Sequence, residues 1–162
     1  MSSQAFGIND QGDVVGEYVD ASGNGHGFRW DGTTYTNLDV PGAGGSSYAW
    51  DIDNNGNVVL IWFSPDGFVE SSLYNGKKYT SINVPGATDS WVKHVNNRGD
   101  IMFSWTDSFN TSHGALRHLG KYYKFDHPKS VNTFGQGIND HRVIVGSYQA
   151  DFSSSDGFKA RF

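Results

Sequence analysis

The sequence predicts an all-β chain, a small β-propeller of about four antiparallel blades of 40 to 44 residues. Three observations carry this: an internal repeat, a composition suited to pleated sheet, and turn signals at regular intervals. The stretch GINDQGDVVGEY from Gly7 returns as GINDHRVIVGSY from Gly137. Ile8, Ile52, Val95 and Ile138 stand 44, 43 and 43 residues apart, each followed by an Asn/Asp pair. The repeats run over residues 5–48, 49–91, 92–134 and 135–162, within a single repeat domain spanning 1–162. Aromatic residues make up 15% of the chain and there are 21 glycines against two Met, a balance that favours sheet and tight turns over helix.

Each repeat reads as four short strands. In the first, AFGI leads into an Asn-Asp-x-Gly turn, DVVGEYV follows, and a Ser/Gly/Asn-rich loop leads to HGFRW. An Asp-Gly turn then gives TYTNLDV, which Pro-Gly ends; Asn75-Gly76 and Gly120 supply that turn in later repeats. Side-chain alternation puts Val15, Val59, Ile101 or Met102, and Val145 on a packed face, with Ile8 beside Val15. Tyr18, Trp62, Trp105 and Tyr148 recur at one position, and Tyr35, Tyr79 and Tyr123 at another; the four aromatics at one position read as core. The fourth repeat lacks its last strand. A three-stranded blade, a larger ring completed by a second chain, and an open antiparallel barrel or solenoid are the ways to accommodate that.

The pattern GINDQGDVVGEY, followed by His26-Gly27-Phe28 and a DG turn, resembles the HAF repeat, named for a His-Ala-Phe triplet. The likeness covers nearly the whole chain. It is closest in the first repeat and in the last, where Asp156-Gly157-Phe158 stands at the triplet, and weakest in the third, where Phe103 replaces the glycine and the triplet becomes Gly114-Ala115-Leu116. The resemblance implies an extracellular or periplasmic setting and assigns no catalytic residue. MSSQAFG lacks the basic start and apolar run of a signal peptide, so a cytoplasmic setting stays open.

Charge and cysteine content narrow the function classes. Charged residues are 18%, the net charge is -5 and no run of Lys or Arg occurs, so nucleic acid is not an expected partner. No apolar stretch approaches the roughly 20 residues that span a bilayer, so no membrane partner is expected. Without cysteine, any metal must be held by oxygen or imidazole. GSSYA at Gly45 lacks the second glycine of a nucleophile elbow.

Three sets of residues remain as candidates. Arranged around an axis, Asn9 and Asp10, Asp53 and Asn54, Asn96 and Asn97, and Asn139 and Asp140 would present up to eight oxygen-bearing side chains, suited to Ca²⁺. The same residue types close tight turns, which is the plainer reading. Where Gly7 and Gly137 repeat, the middle repeats carry Asp51 and His94, the pair that a general base held in one tautomer requires. Trp30, Trp50, Tyr74 and Trp91 are candidates for stacking on sugar rings. Three functions follow: a small-ligand-binding propeller with carbohydrate as the ligand; a Ca²⁺-assisted hydrolase of lactones or esters; and a structural module, with a homodimer or higher oligomer completing the ring.

Overall fold

A computed structural model describes residues 2–162 and shows fifteen strands in four antiparallel sheets. Sheet 1 holds β1 (Ser2–Ile8), β2 (Val14–Val19), β3 (Gly25–Trp30) and β4 (Tyr35–Asn37). Sheet 2 holds β5 (Ser47–Ile52), β6 (Val58–Phe63), β7 (Val69–Tyr74) and β8 (Tyr79–Ser81). Sheet 3 holds β9 (Asp89–Val95), β10 (Ile101–Thr106), β11 (Ser112–His118) and β12 (Lys121–Phe125). Sheet 4 has three strands, β13 (Asn132–Ile138), β14 (Val143–Gln149) and β15 (Asp156–Arg161), as the truncated last repeat requires. In every sheet the strands pair in chain order, so each is a meander closed by local turns. β1 begins at Ser2, ahead of the expected Ala5, and its polar start pairs in register with the end of β2.

The first strand of every sheet carries a bulge at the same place. Phe6, Trp50, Lys93 and Gln136 are the residues skipped in the pairing with the second strand. A bulge adds one residue and re-aims the side chains beside it. Asp51 and His94, like Gly7 and Gly137, directly follow that residue.

The chain divides into two compact units, Met1–Asn83 and Val84–Phe162. In the first, Val15, Leu38 and Val40 of sheet 1 and the segment leaving it pack against Ala49, Ile52, Val58 and Leu60 of sheet 2. In the second, Met102 and Leu116 of sheet 3 pack against Ile138 and Ile144 of sheet 4. A repeated clasp fixes the segment that enters each later sheet. The Val40 amide donates to Ser47 Oγ (3.1 Å), the Val84 amide to Ser90 Oγ (3.0 Å) and the His127 amide to Thr133 Oγ1 (2.9 Å). Each of these amides precedes a proline, Pro41, Pro85 or Pro128, which cannot itself donate.

Three expectations need correction. Ile52 and Ile138 are buried against the preceding sheet of their unit, but Ile8 is 67% exposed, because it lies on the face of sheet 1 turned away from sheet 2. Val15 and Met102 are buried against the following sheet, whereas Val145, in the last sheet, is 45% exposed. The aromatic equivalent to Tyr35 and Tyr79 is Tyr122 and not Tyr123, since Tyr122 pairs with Arg117 as Tyr79 pairs with Tyr74. The sequence offers two adjacent tyrosines there, and only the pairing register separates them.

Phe103 is fully buried, so Phe103→Ala is expected to cost about 3 to 5 kcal/mol. Val145→Ala should cost about 0.5 kcal/mol because its side chain is already half in water. Denaturant unfolding of the two variants measures both, and equal costs would contradict this account of the core.

Candidate functional site

The echoed Asn/Asp pairs do their first work in turns. Asn9 Oδ1 accepts from the amides of Gln11 (3.1 Å) and Asp13 (2.9 Å). Asp53 Oδ1 does the same with Asn55 and Asn57, Asn96 Oδ1 with Arg98 and Asp100, and Asn139 Oδ1 with His141 and Val143. The turn needs a left-handed residue, filled by Gly12, Gly56 and Gly99 and, in the last repeat, by Arg142 at φ 54. Arg142 gains something for that strained backbone: its Nε donates to Asp100 Oδ2 at 3.0 Å.

The same pairs also join one sheet to the next. Asn9 Nδ2 donates to the Asp53 carbonyl, and Asn96 Nδ2 to the Asn139 carbonyl. The second members of the pairs also link. The Asp10 amide donates to Asn54 Oδ1 (2.9 Å) while Asn54 Nδ2 donates back to Asp10 Oδ2. In the second unit both donors are on one residue: the Asn97 amide donates to Asp140 Oδ1 (2.8 Å) and Asn97 Nδ2 to Asp140 Oδ2 (3.2 Å). These oxygens therefore face amide donors, and among the described residues no group of three or more His, Asp or Glu is placed to hold a metal ion.

Asp51 lies in the first unit, directly against sheet 1, where a Cβ on Gly7 would come within 2.8 Å of its Oδ1. This contact explains why a glycine stands at that position of sheet 1. His94 lies in the second unit, opposite Met102. Beside it, burial lowers the pKa of Lys93, whose Nζ stands 5.3 Å from the Trp91 ring. The other proposed sugar-stacking rings are also engaged. Trp30 stacks on Tyr35 (6.1 Å between centroids), and Trp50 and Tyr74 lie tilted against Phe6 (4.9 Å) and Tyr79 (4.6 Å).

The first unit has two surface grooves that occupy equivalent places in its two sheets. One, of about 430 Å³, is lined by Ser3, Tyr18, Phe28, Tyr35, Thr36 and Asn37. The other, of about 580 Å³, is lined by Trp62, Ser72, Tyr79 and Ser81, with Val40, Pro41, Lys77 and Lys78. Tyr18 and Trp62, Phe28 and Ser72, Tyr35 and Tyr79, and Asn37 and Ser81 are each 44 residues apart, so four positions of the repeat build both grooves. Trp62 is half-buried, its edge packed against the core and its Nε1 donating to Ser72 Oγ (3.1 Å). The clasp from Val40 to Ser47 brings Pro41 to the groove wall.

At the equivalent place in the second unit the chain covers its own aromatic rings. The Lys124 ammonium stands 4.1 Å from the centre of the Trp105 ring and donates to the Pro85 carbonyl at 2.6 Å. The His127 ring stacks on Tyr148 at 3.6 Å. Sequence reasoning placed Tyr18, Trp62, Trp105 and Tyr148 in the core, because large aromatics at a repeat position usually pack there. Trp105 is buried as expected, whereas Tyr18, Trp62 and Tyr148 are only partly buried; Tyr18 pairs with Ser3 and His26, and Trp62 with Ser47 and Glu70.

Beside the first groove, His26 bridges two carboxylates, with Nδ1 2.8 Å from Asp39 and Nε2 3.4 Å from Asp20. Tyr18 stacks on its ring at 4.9 Å. Sheet 3 repeats the clamp: His113 lies between Asp126 (2.8 Å) and Asp107 (3.5 Å), stacked on Trp105. The hydrogen bond to Asp39 raises the His26 pKa above its ordinary 6.5; partial burial opposes it and Asp20 adds to it. Asp20 is held down at about 2, first by the Asn24 amide.

No protein-family model and no curated protein matches the sequence. Solved structures do match it. The β-propeller domain of the Trilobed protease from Pyrococcus furiosus, described as having an open velcro topology, superposes with a TM-score of 0.66 at 12% identity over 97% of this chain and 51% of that one. The SapL1 lectin, solved in complex with α-methyl fucoside, gives 0.51 at 13% identity over 99% of this chain and 66% of that one. The four sheets are thus blades of the β-propeller kind, and the chain spans about half to two thirds of the propellers it matches. At these identities the likeness is one of fold.

A folded-state pKa above 6.5 fixes the sign of the pH effect. Protonated His26 adds stability in full below about pH 6.5, and that contribution is lost as pH rises through the raised pKa. Asp39→Asn should bring the pKa down toward 6.5, read by following the His26 ring protons in an NMR titration; an unmoved titration midpoint would contradict the clamp.

Proposed function

We propose that the chain binds carbohydrate through the aromatic grooves of its first two blades. The observation that carries this reading is the repeated groove itself, lined at equivalent positions of two successive sheets by partly exposed aromatic rings and by hydroxyl groups. A sugar offers an apolar C–H face and a rim of hydroxyls, which suits a site built from an aromatic platform and a few placed polar groups. Among the described residues, the lining of the first groove has no formally charged side chain, as a neutral ligand would favour. The SapL1 lectin, which shares the fold, is a fucoside-binding protein by its description, and this supports the reading by analogy. The resemblance to the HAF repeat adds an outward-facing setting in which glycans are abundant.

Tyr35 is 70% exposed, so Tyr35→Ala leaves the core intact while removing a wall of the first groove. Trp62→Phe shortens the platform of the second while keeping an aromatic ring in place. Each should weaken binding about three- to tenfold at its own groove, measured by titration against the best ligand from a glycan array. Phe109→Ala, at an exposed position outside both linings, should bind as the parent does. If no glycan on the array binds, or both groove variants bind normally, the reading is wrong.

A further inference from the structure

The two open grooves differ in charge. Where sheet 1 has Thr33 and Thr34, sheet 2 has Lys77 and Lys78, 44 residues on, and both lysines line the groove over Trp62. They are the only two adjacent Lys or Arg residues in a chain of net charge -5. Both are exposed, at the turn from Tyr74 to Tyr79, where Asn75 Oδ1 accepts from their backbone amides (3.2 and 3.0 Å). That capping fixes the backbone of the turn from which both lysines line the groove.

Sheet 3 shows what this kind of place accommodates. Lys124, at the repeat position of Asn37 and Ser81, lays its ammonium over Trp105 and donates to the Pro85 carbonyl. A hydrogen-bond donor thus sits on the aromatic face with a prolyl carbonyl as acceptor. In sheet 2 the same position is Ser81, too short to reach across, and the equivalent Pro41 lines the groove. The seat that Lys124 fills in sheet 3 is left open in sheet 2, and two ammonium groups stand where a free cation would be repelled.

Resting on the carbohydrate reading above, we propose that the groove over Trp62 takes an acidic sugar, a pyranose bearing a carboxylate, with Lys77 and Lys78 as its specificity-determining residues. The ring face stacks on Trp62, hydroxyls take the donor's place, and the carboxylate pairs with the lysines. The first groove, with threonines at those positions, takes the neutral sugar. The third carries its own occupant in Lys124.

The test is calorimetric titration with methyl glucuronide and methyl glucoside, in 20 mM and 300 mM salt, on the parent chain and on Lys77→Thr/Lys78→Thr. Both substitutions copy sheet 1 and lie on an exposed turn, so the fold should be kept, and a thermal melt checks this. In the parent the glucuronide should bind about three- to tenfold more tightly at low salt, with the preference shrinking at high salt. In the variant the preference should fall to about one while neutral-sugar binding stays as it was. Equal affinity for the two sugars in the parent, or a preference that survives the double substitution, overturns the acidic-sugar assignment and leaves the carbohydrate reading standing. If neither sugar nor any array glycan binds, both fall together.

Discussion

The structure depends on one side chain used four times. The first residue of each Asn/Asp pair, Asn9, Asp53, Asn96 or Asn139, accepts two backbone amides of its own turn. This is what makes the hairpin between first and second strand tight enough to repeat. Where that residue is Asn and another sheet follows within the compact unit, its amide nitrogen donates onward to that sheet. The interaction that ends one strand thereby sets its distance from the next sheet. Arg142 shows how strongly the geometry is held: a non-glycine residue keeps the left-handed backbone, and its guanidinium reaches the fully buried Asp100. Burial alone would raise the Asp100 pKa, but hydrogen bonds from His118, Asn96 and Arg142 outweigh it and hold the carboxyl below its ordinary value.

The outer parts of the sheets are positioned by a second repeated contact. A first-strand hydroxyl, Ser47, Ser90 or Thr133, receives the amide that precedes a proline in the incoming segment. In sheet 2 this holds Pro41 beside Trp62, and in sheet 3 it accompanies Pro85 beside Trp105. Grooves arise because the scaffold repeats while the groove-lining side chains change. With Ser81 on the fourth strand the ring is open, and with Lys124 it is covered. In sheet 2 the Trp62 ring that lines the groove also packs against the core.

The positions where the repeat fails, Asp51 and His94, stand directly after a bulge that all four sheets share, and in the first unit Asp51 fills the space above Gly7. Trp30, Trp50 and Tyr74 are aromatic partners of other rings. Of the groove-lining residues, the aromatic rings Tyr18 and Trp62 keep the repeat pattern, and the neighbours that change the character of each groove do not.

By itself the sequence determined the repeat, the four-strand meander, the short last sheet and the turn role of the Asn/Asp pairs. All of these are local consequences of spacing, alternation and turn chemistry within a few residues. Which of two tyrosines, Tyr122 or Tyr123, continues the repeat was decided by pairing register. Whether Ile8 and Val145 are buried was decided by which face of a sheet meets another sheet. Whether an aromatic at a fixed repeat position is core, platform or covered platform was decided by a neighbour on another strand, up to 39 residues away for Lys124 and Pro85. Only tertiary structure brings such partners together, because a strand's sequence fixes which way a side chain points but not what waits there to meet it.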